Sequence, residues 1–242
     1  MKRNVLLVVI SAAVISGCDG DDGIFFTKKK DPAVKPAVST TAAAVENAST
    51  CFNDKLYKVG SGYNLTTQKG TEPAETQHYK VLEDARYRGQ PAIHQRLSKS
   101  TKLTDRYLFI NTGEKSVSLL GEKVLKDESY YAPGYLVKFN VKKGGSYSQT
   151  VTMTEESSKP ARETVSNIKT TFKGIETITV PAGTYKTCRF ELNSSVTKPD
   201  GLTKKLNSSV WYAVKHGVKV QSKDNAGSIT KLIKGDINGT KI

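Results

Sequence analysis

Three cysteines and three histidines hold most of this chain's capacity for covalent, acid–base or metal chemistry, and their spacing decides how much of it is usable. His78, His94 and His216 lie far apart, with no HxxH, HExxH or CxxC spacing, so no metal site is expected from neighbouring ligands. Acyl transfer needs a nucleophile on a strained turn beside a base, and no GxSxG occurs. Two SxxK matches exist, Ser166 to Lys169 and Ser228 to Lys231. Both fall in strand-like segments, where residues three apart point to opposite faces and the lysine cannot activate the serine. Adjacent carboxylates in Asp127-Glu128 and Glu155-Glu156 diverge on a strand and do not make an acid/base couple. No Gly-rich phosphate loop precedes a helix. The expectation is a protein with no catalytic site, metal or cofactor. The alternative is an envelope hydrolase whose residues assemble from distant strands around one of the histidines.

The cysteines have clearer assignments. Lys2 and Arg3 are followed by an apolar stretch from Val5 to Val14, and Ile15-Ser16-Gly17-Cys18 closes it. That stretch is shorter than the roughly 20 apolar residues a membrane-spanning helix needs. It looks like the lipobox that lipoprotein signal peptidase cleaves before a diacylglyceryl-modified cysteine. Residues 1–17 are then a signal peptide, and Cys18 carries the acyl chains, palmitate among them. The alternative is an ordinary secretory signal in which Cys18 is incidental. With Cys18 consumed by lipid, Cys51 and Cys188 form an even set in an oxidising compartment and are expected to pair. They stand 137 residues apart, and the chain-entropy model assigns so long a loop about 4 to 5 kcal/mol. The alternative is two unpaired buried thiols. Asp19, directly after the lipidated position, resembles the signal that retains lipoproteins at the inner membrane in enterobacteria.

Removing the signal with Lys2 and Arg3 takes the formal charge from +14 to +12. On an exported protein such a balance favours anionic envelope lipids or polymers as partners. Lysine-rich strand faces also serve solubility and protect sheet edges. Nucleic acid is not expected, because no helix-turn-helix, RNP-like or zinc-finger pattern accompanies the lysines.

Residues 18–50 show no hydrophobic period and read as a flexible tether with a reach of about 30 Å. From Cys51 to Ile242 the chain changes to Val, Thr, Tyr, Ile and Ser segments punctuated by Gly, Pro, Asn and Asp. Strands are expected at Tyr63–Gln68, His78–Glu83, Ala92–Leu97, Arg106–Asn111, Val117–Leu120, Tyr135–Val141, Tyr147–Thr154, Tyr185–Val196, Leu206–Val214, Val218–Lys223 and Ile229–Ile237. Turns fall at Gly144-Gly145, Asp200-Gly201 and Asn225-Ala226-Gly227. Cys188, Phe190, Leu192 and Val196 share one strand face. Near the end of the next strand Tyr212 and Trp211 face opposite ways, so both faces have something to bury. This predicts one antiparallel all-β domain over 51–242, either a curved half-barrel or a two-layer sandwich. Tyr130, Tyr131, Tyr135 and Tyr147, set among lysines and glycines, are candidates for a carbohydrate or headgroup surface, or are ordinary strand formers with polar tips.

The segment Phe172 to Cys188 contains Thr179-Val180-Pro181-Ala182-Gly183-Thr184-Tyr185, in which Pro181 presets a corner and Gly183 relaxes the exit between two strands. Together with Trp211-Tyr212-Ala213 and Gly217-Val218-Lys219, it resembles uncharacterised proteobacterial envelope lipoproteins and related periplasmic all-β domains. Cys51-Phe52-Asn53 and Tyr57-Lys58-Val59-Gly60 are similar to the same group. The resemblance implies a β fold and an envelope address, and it brings no agreed reaction. Function is therefore expected to be non-enzymatic binding of an envelope component or partner protein through one sheet face. The alternative is a lipid or glycolipid carrier with an apolar concavity.

Overall fold

A computed structural model describes residues 45–157 and 160–242. The expectations for Cys18 and Asp19 lie outside the described residues. Thirteen antiparallel strands follow one another: β1 (Gly62–Lys69), β2 (Glu75–Tyr87), β3 (Gln90–Lys99), β4 (Lys102–Asn111), β5 (Ser116–Val124), β6 (Asp127–Lys138), β7 (Ser146–Glu155), β8 (Arg162–Val180), β9 (Gly183–Thr197), β10 (Thr203–Ala213), β11 (Lys219–Lys223), β12 (Ile229–Ile237) and β13 (Thr240–Lys241). Each strand pairs with the next, and β1 also pairs with β12 from Tyr63↔Ile237 to Lys69↔Thr230. The sheet is therefore a closed twelve-strand, up-and-down barrel, with β13 a short addition beside β12. Closure removes the edges that a half-barrel would have left exposed to other chains.

Up-and-down order puts alternate turns at opposite ends. At one end lie the β4–β5, β6–β7, β8–β9 and β10–β11 turns and the start of β1, while the tip of the β2–β3 hairpin folds over the outer faces of β4–β6, where Tyr87 stacks on Tyr107 and Arg88 pairs with Glu156. That end is plugged by two 3-10 turns, Ala48–Cys51 and Asp54–Tyr57, capped by Asn47 and Asn53. Residues 46–50, read from composition as tether, belong to this plug. Ala48 N donates to Val141 O, Lys143 N to Glu46 O and Lys215 N to Thr50 O. Gly217 holds φ +73, and a Cβ there would stand 2.8 Å from Asn53 Cβ, so the β10–β11 turn approaches the plug too closely for a side chain.

Cys51 and Cys188 form a disulfide, with Cα atoms 6.2 Å apart, that ties the plug to β9. Around it Ala48, Phe139, Val141, Phe172 and Phe190 are buried together, with Phe139 edge-on to Phe190 and to Tyr212. Phe52 and Tyr57 carry this core across to Val81, Ile93, Leu108 and Val117 on β2–β5. The β8–β9 turn follows its motif: β8 ends at Val180 and β9 resumes at Gly183, around Pro181. Beyond it Ile178, Val180, Ala182 and Tyr185 pack with Trp211, Val220, Leu232 and Leu65. Trp211 and Tyr212 are thus in different clusters, as their opposite parity requires.

The ladder between β6 and β7 is interrupted. β6 and β7 pair only from Ser129 to Ala132, because Pro133 has no N–H to donate and the chain turns at Gly134, φ +136. Beyond that point side chains close the gap. Gln149 Nε2 donates to Leu136 O and its Oε1 accepts from Leu136 N, both at 2.8 Å, and Tyr147 Oη accepts from Lys138 N at 3.0 Å.

Breaking the disulfide frees a loop of 137 residues. A Cys51→Ser/Cys188→Ser chain is expected to lose about 2 to 5 kcal/mol of stability. Urea denaturation of oxidised, reduced and double-variant protein checks this, and reduction should lower the midpoint of the native protein while leaving the variant unchanged.

Candidate functional site

Strand alternation sends one set of side chains into the barrel. Arg106 on β4 is the register partner of Gln95 on β3 and Glu122 on β5. It shares its face with the buried Leu108 and Thr104. Arg106 Nε donates to Glu122 Oε1 at 3.0 Å, and Tyr131 Oη donates to Glu122 Oε2 at 3.3 Å. Arg106 Nη1 reaches Gln95 Oε1 at 3.4 Å, while Gln95 Nε2 is buried without a hydrogen-bond partner among the described residues. On β1 and β2, Tyr63 and Tyr79 stack with centroids 4.4 Å apart. Across the barrel Lys219 on β11 pairs in register with Tyr212 on β10, whose own partner is Cys188.

These groups converge. The charge of Arg106 acts on Tyr57 from the plug, on Tyr63, Tyr79, Tyr131 and Tyr212 from β1, β2, β6 and β10, and on Lys219 from β11. Burial dominates each phenol. It pushes Tyr57 up to about 12 and Tyr63 and Tyr212 well above the usual tyrosine range, and the positive charge of Arg106 only partly opposes this. Burial also works against the charge of Arg106, but Glu122 and the surrounding phenols more than offset it and its pKa is raised. Lys219 has no such compensation: burial, then Arg106, lower its pKa.

Two facts about these side chains fit together in only one way. Lys219, Tyr63 and Tyr212 are surrounded by protein on every side. Yet Lys219 is solvent-accessible, both tyrosines are partly so, and the Arg106 and Glu122 side chains keep 23% and 30% of their surface. Register places Lys219 and Tyr212 on the same face as Cys188, so this accessible surface is assigned to the inner side of the barrel, its lumen. Its wall is phenolic and charged rather than aliphatic. One end is closed by the plug; at the other, the described connections are short turns.

The four tyrosines singled out in the sequence divide between the two faces. Tyr131, Tyr135 and Tyr147 face inward, where burial pushes Tyr135 up to about 12 in the neighbourhood of Tyr147. Tyr130 faces outward beneath the Arg88 guanidinium, 3.8 Å from its ring centroid. They do not form one surface. Arg106, Glu122, Gln95 and Lys219 had not been marked at all. The signal available was charged residues at positions sharing parity with Leu108 or Tyr212.

The histidines lie outside the lumen. His94 Nε2 is 2.9 Å from Asp105 Oδ1, its Nδ1 is 3.1 Å from Glu83 Oε1, and its ring stacks on Tyr107. Partial burial pushes the Asp105 carboxyl up, but hydrogen bonds from Arg96 and His94 more than offset this and hold it below the usual range. His78 Nδ1 meets Asn64 Oδ1 at 2.6 Å, and Asn64 Nδ2 donates to Asp236. His216 contributes its carbonyl to Asn53 Nδ2. None of the three rings is in hydrogen-bond contact with a Ser, Thr or Cys side chain among the described residues, and those residues contain no metal-holding group of three or more His, Cys, Asp or Glu.

Two shallow depressions, of about 490 and 280 Å³, are also present. The first spans the outer faces of β7–β10, over Ser148, Thr150, Asn167, Lys169, Asn193 and Lys205. Lys169 is there while Ser166, three residues earlier, faces inward, so this SxxK pair is split across the sheet. The second lies beside His78. Neither depression contains a charged group held against burial, which is what distinguishes the lumen.

The fold and site together define a plugged, closed β-barrel with a polar lumen. A family model described as DUF3108-like matches residues 131–230. No curated protein matches the sequence. Among solved structures, a lipoprotein candidate from Parabacteroides distasonis is 14% identical, with 79% of this chain and 99% of that chain covered and a TM-score of 0.55, which shows the fold. An exported-protein candidate with a YmcC-like fold from Bacteroides fragilis is 12% identical, covering 80% and 100% with a TM-score of 0.48. The hypothetical lipoprotein YmcC from Escherichia coli is 11% identical, covering 78% and 87% with a TM-score of 0.38.

Because Arg106 and Glu122 face each other in a confined space, their energies are coupled. Glu122→Ala is expected to cost about 1 to 3 kcal/mol, less than a fully dry pair because both side chains keep contact with water. Adding Arg106→Met should recover part of that loss. A double-mutant cycle by chemical denaturation checks it, with a coupling of about 1 kcal/mol or more expected.

Proposed function

We propose that this chain is a non-enzymatic binding protein of the bacterial envelope, lipid-anchored at Cys18 and facing the periplasm, which takes an anionic envelope component into its barrel lumen. Asp19 would hold it at the inner membrane. The observation that carries this reading is Lys219. A lysine on the inner face of the barrel, opposite Tyr212 in register, with no ion-pair partner among the described residues and with its charge disfavoured by desolvation and by Arg106, is a cost the fold retains without structural return. Such groups mark binding sites. An incoming carboxylate or phosphate would restore the missing counter-charge, and the lumen tyrosines offer flat rings and hydroxyls to a sugar or headgroup. The continuous apolar concavity that an acyl-chain carrier requires is interrupted here by Arg106, Glu122, Gln95 and Lys219.

Lys219 binds its proton less readily in the folded protein than in the unfolded chain, so its contribution to stability rises with pH. Lys219→Met should therefore raise the melting temperature at neutral pH. Galacturonate and glycerol phosphate should stabilise the native protein while galactose and glycerol do not, and the Met variant should lose that response. In the native protein the response should fade as pH rises through a value below the ordinary lysine range. Thermal unfolding with each probe tests the reading, and equal anion stabilisation of native and variant protein would overturn it.

A further inference from the structure

We infer that the plugged end of the barrel is a docking face for an anionic phospholipid bilayer, so that the protein sits plug-down on the membrane with its open end directed away. The inference is independent of what occupies the lumen. It starts from the place where residues 46–51 join the barrel. Asn47 forms a β-bridge with Lys142, Lys143 Nζ lies 3.3 Å from a Glu46 carboxylate oxygen, and Lys215 N donates to Thr50 O at 2.8 Å. Lys186 stands close enough to Glu46 to help lower its pKa, behind the larger effects of the Ile175 backbone hydrogen bond and Lys143. Lys186 O also accepts from Val214 N, next to Lys215. Four exposed lysines from three separate segments thus form a collar around the root of the N-terminal segment.

The acids facing this collar are already engaged. Glu46 is bound by Lys143 and by Ile175 N, and Glu176 accepts from Trp211 Nε1 and lies near Arg189. Lys142, Lys186 and Lys215 have no ion-pair partner among the described residues, and neither does Lys55 on the plug. At the other end, Lys69, Lys99 and Lys123 are neutralised by Asp224, Glu75 and Glu128, and Lys102, Lys126, Lys198 and Lys204, which have no ion-pair partner among the described residues, stand among the exposed acids Glu72, Asp127, Glu163 and Asp200. The uncompensated positive charge is therefore concentrated at the end where the chain's first 44 residues attach. If Cys18 is acylated, the segment from Cys18 to Glu46 spans about 30 Å on average, which keeps that collar within reach of the bilayer holding the anchor. Near an anionic surface each lysine strengthens association roughly fivefold, and the attraction acts within about 8 Å at physiological salt.

The test uses the mature chain with Cys18→Ser, so that no acyl group contributes, in co-sedimentation with phosphatidylcholine vesicles containing or lacking phosphatidylglycerol. The native surface should bind only the anionic vesicles and release at high salt. Replacing Lys142, Lys143, Lys186 and Lys215 by Gln should weaken partitioning by roughly a hundredfold or more. A control with Lys102, Lys126, Lys198 and Lys204 replaced by Gln, which removes the same charge from the other end, should bind nearly as before. The four collar lysines are exposed, so an unchanged melting temperature is expected and confirms folding. Equal losses in the two variants, no binding by the native surface, or stronger pelleting with peptidoglycan sacculi than with anionic vesicles would each overturn the inference.

Discussion

The pairing of β1 with β12 is the constraint on which the rest of the structure depends. Once the first and last wall strands are joined, the sheet closes on itself and its wall strands have an enclosed face and an exterior face. Twelve strands enclose more space than their own inward side chains fill. At one end the chain fills the excess with the plug, whose Phe52, Leu56 and Tyr57 complete clusters that the strands leave unfinished. The disulfide then holds the plug where the closure needs it. Farther along the barrel none of the other described segments is inserted in this way, and the remaining space is lined by groups that tolerate water.

That difference in filling explains the electrostatics. A fully packed interior would make Arg106 and Glu122 prohibitively expensive unless perfectly matched. In a lumen that admits water, the pair keeps part of its hydration, and Gln95 and Tyr131 supply further hydrogen-bonding partners. Lys219 is different because it faces the same space with no acid beside it among the described residues. The arrangement is asymmetric: one wall carries a balanced pair, and the opposite wall carries a free cation.

Much of the fold was legible in the chain. Alternation over Cys188, Phe190 and Leu192, the Asp200-Gly201 hairpin and the Pro181-Gly183 corner each act over a few residues, and local chemistry fixes them. Cys51 and Cys188 were legible by arithmetic. Closure was not, because it depends on residues as far apart as Tyr63 and Ile237 finding each other, and no local pattern encodes that. Bulges hid the site. On β5 the parity of Val117 and Leu119 would carry inward to Gly121, but Leu120 is inserted against β4, so Gly121 turns outward under Tyr87 and Glu122 turns in toward Arg106. On β2 an insertion at Leu82 sends Glu83 outward to meet His94. A period-two reading assigns both carboxylates to the wrong face, and the alternation of the tyrosines on β6 likewise cannot say that one face is enclosed.

The two ends of the barrel can then be assigned different work from a single cause. The segment that plugs the lumen is also the segment through which the N-terminal region attaches, so closing one end and fixing where that region joins the barrel are the same structural event. A ligand cannot pass through Ala48–Tyr57 without undoing the disulfide-held core, which leaves the opposite end, or the side-chain-sealed seam between β6 and β7, as the route to Lys219. The seam is held by Gln149 and Tyr147 rather than by a continuous backbone ladder. Side-chain bonds of this kind open without breaking the strand pairings on either side. At the opposite end the described connections are short turns, so entry there would break no strand ladder, and it is therefore the route this arrangement favours.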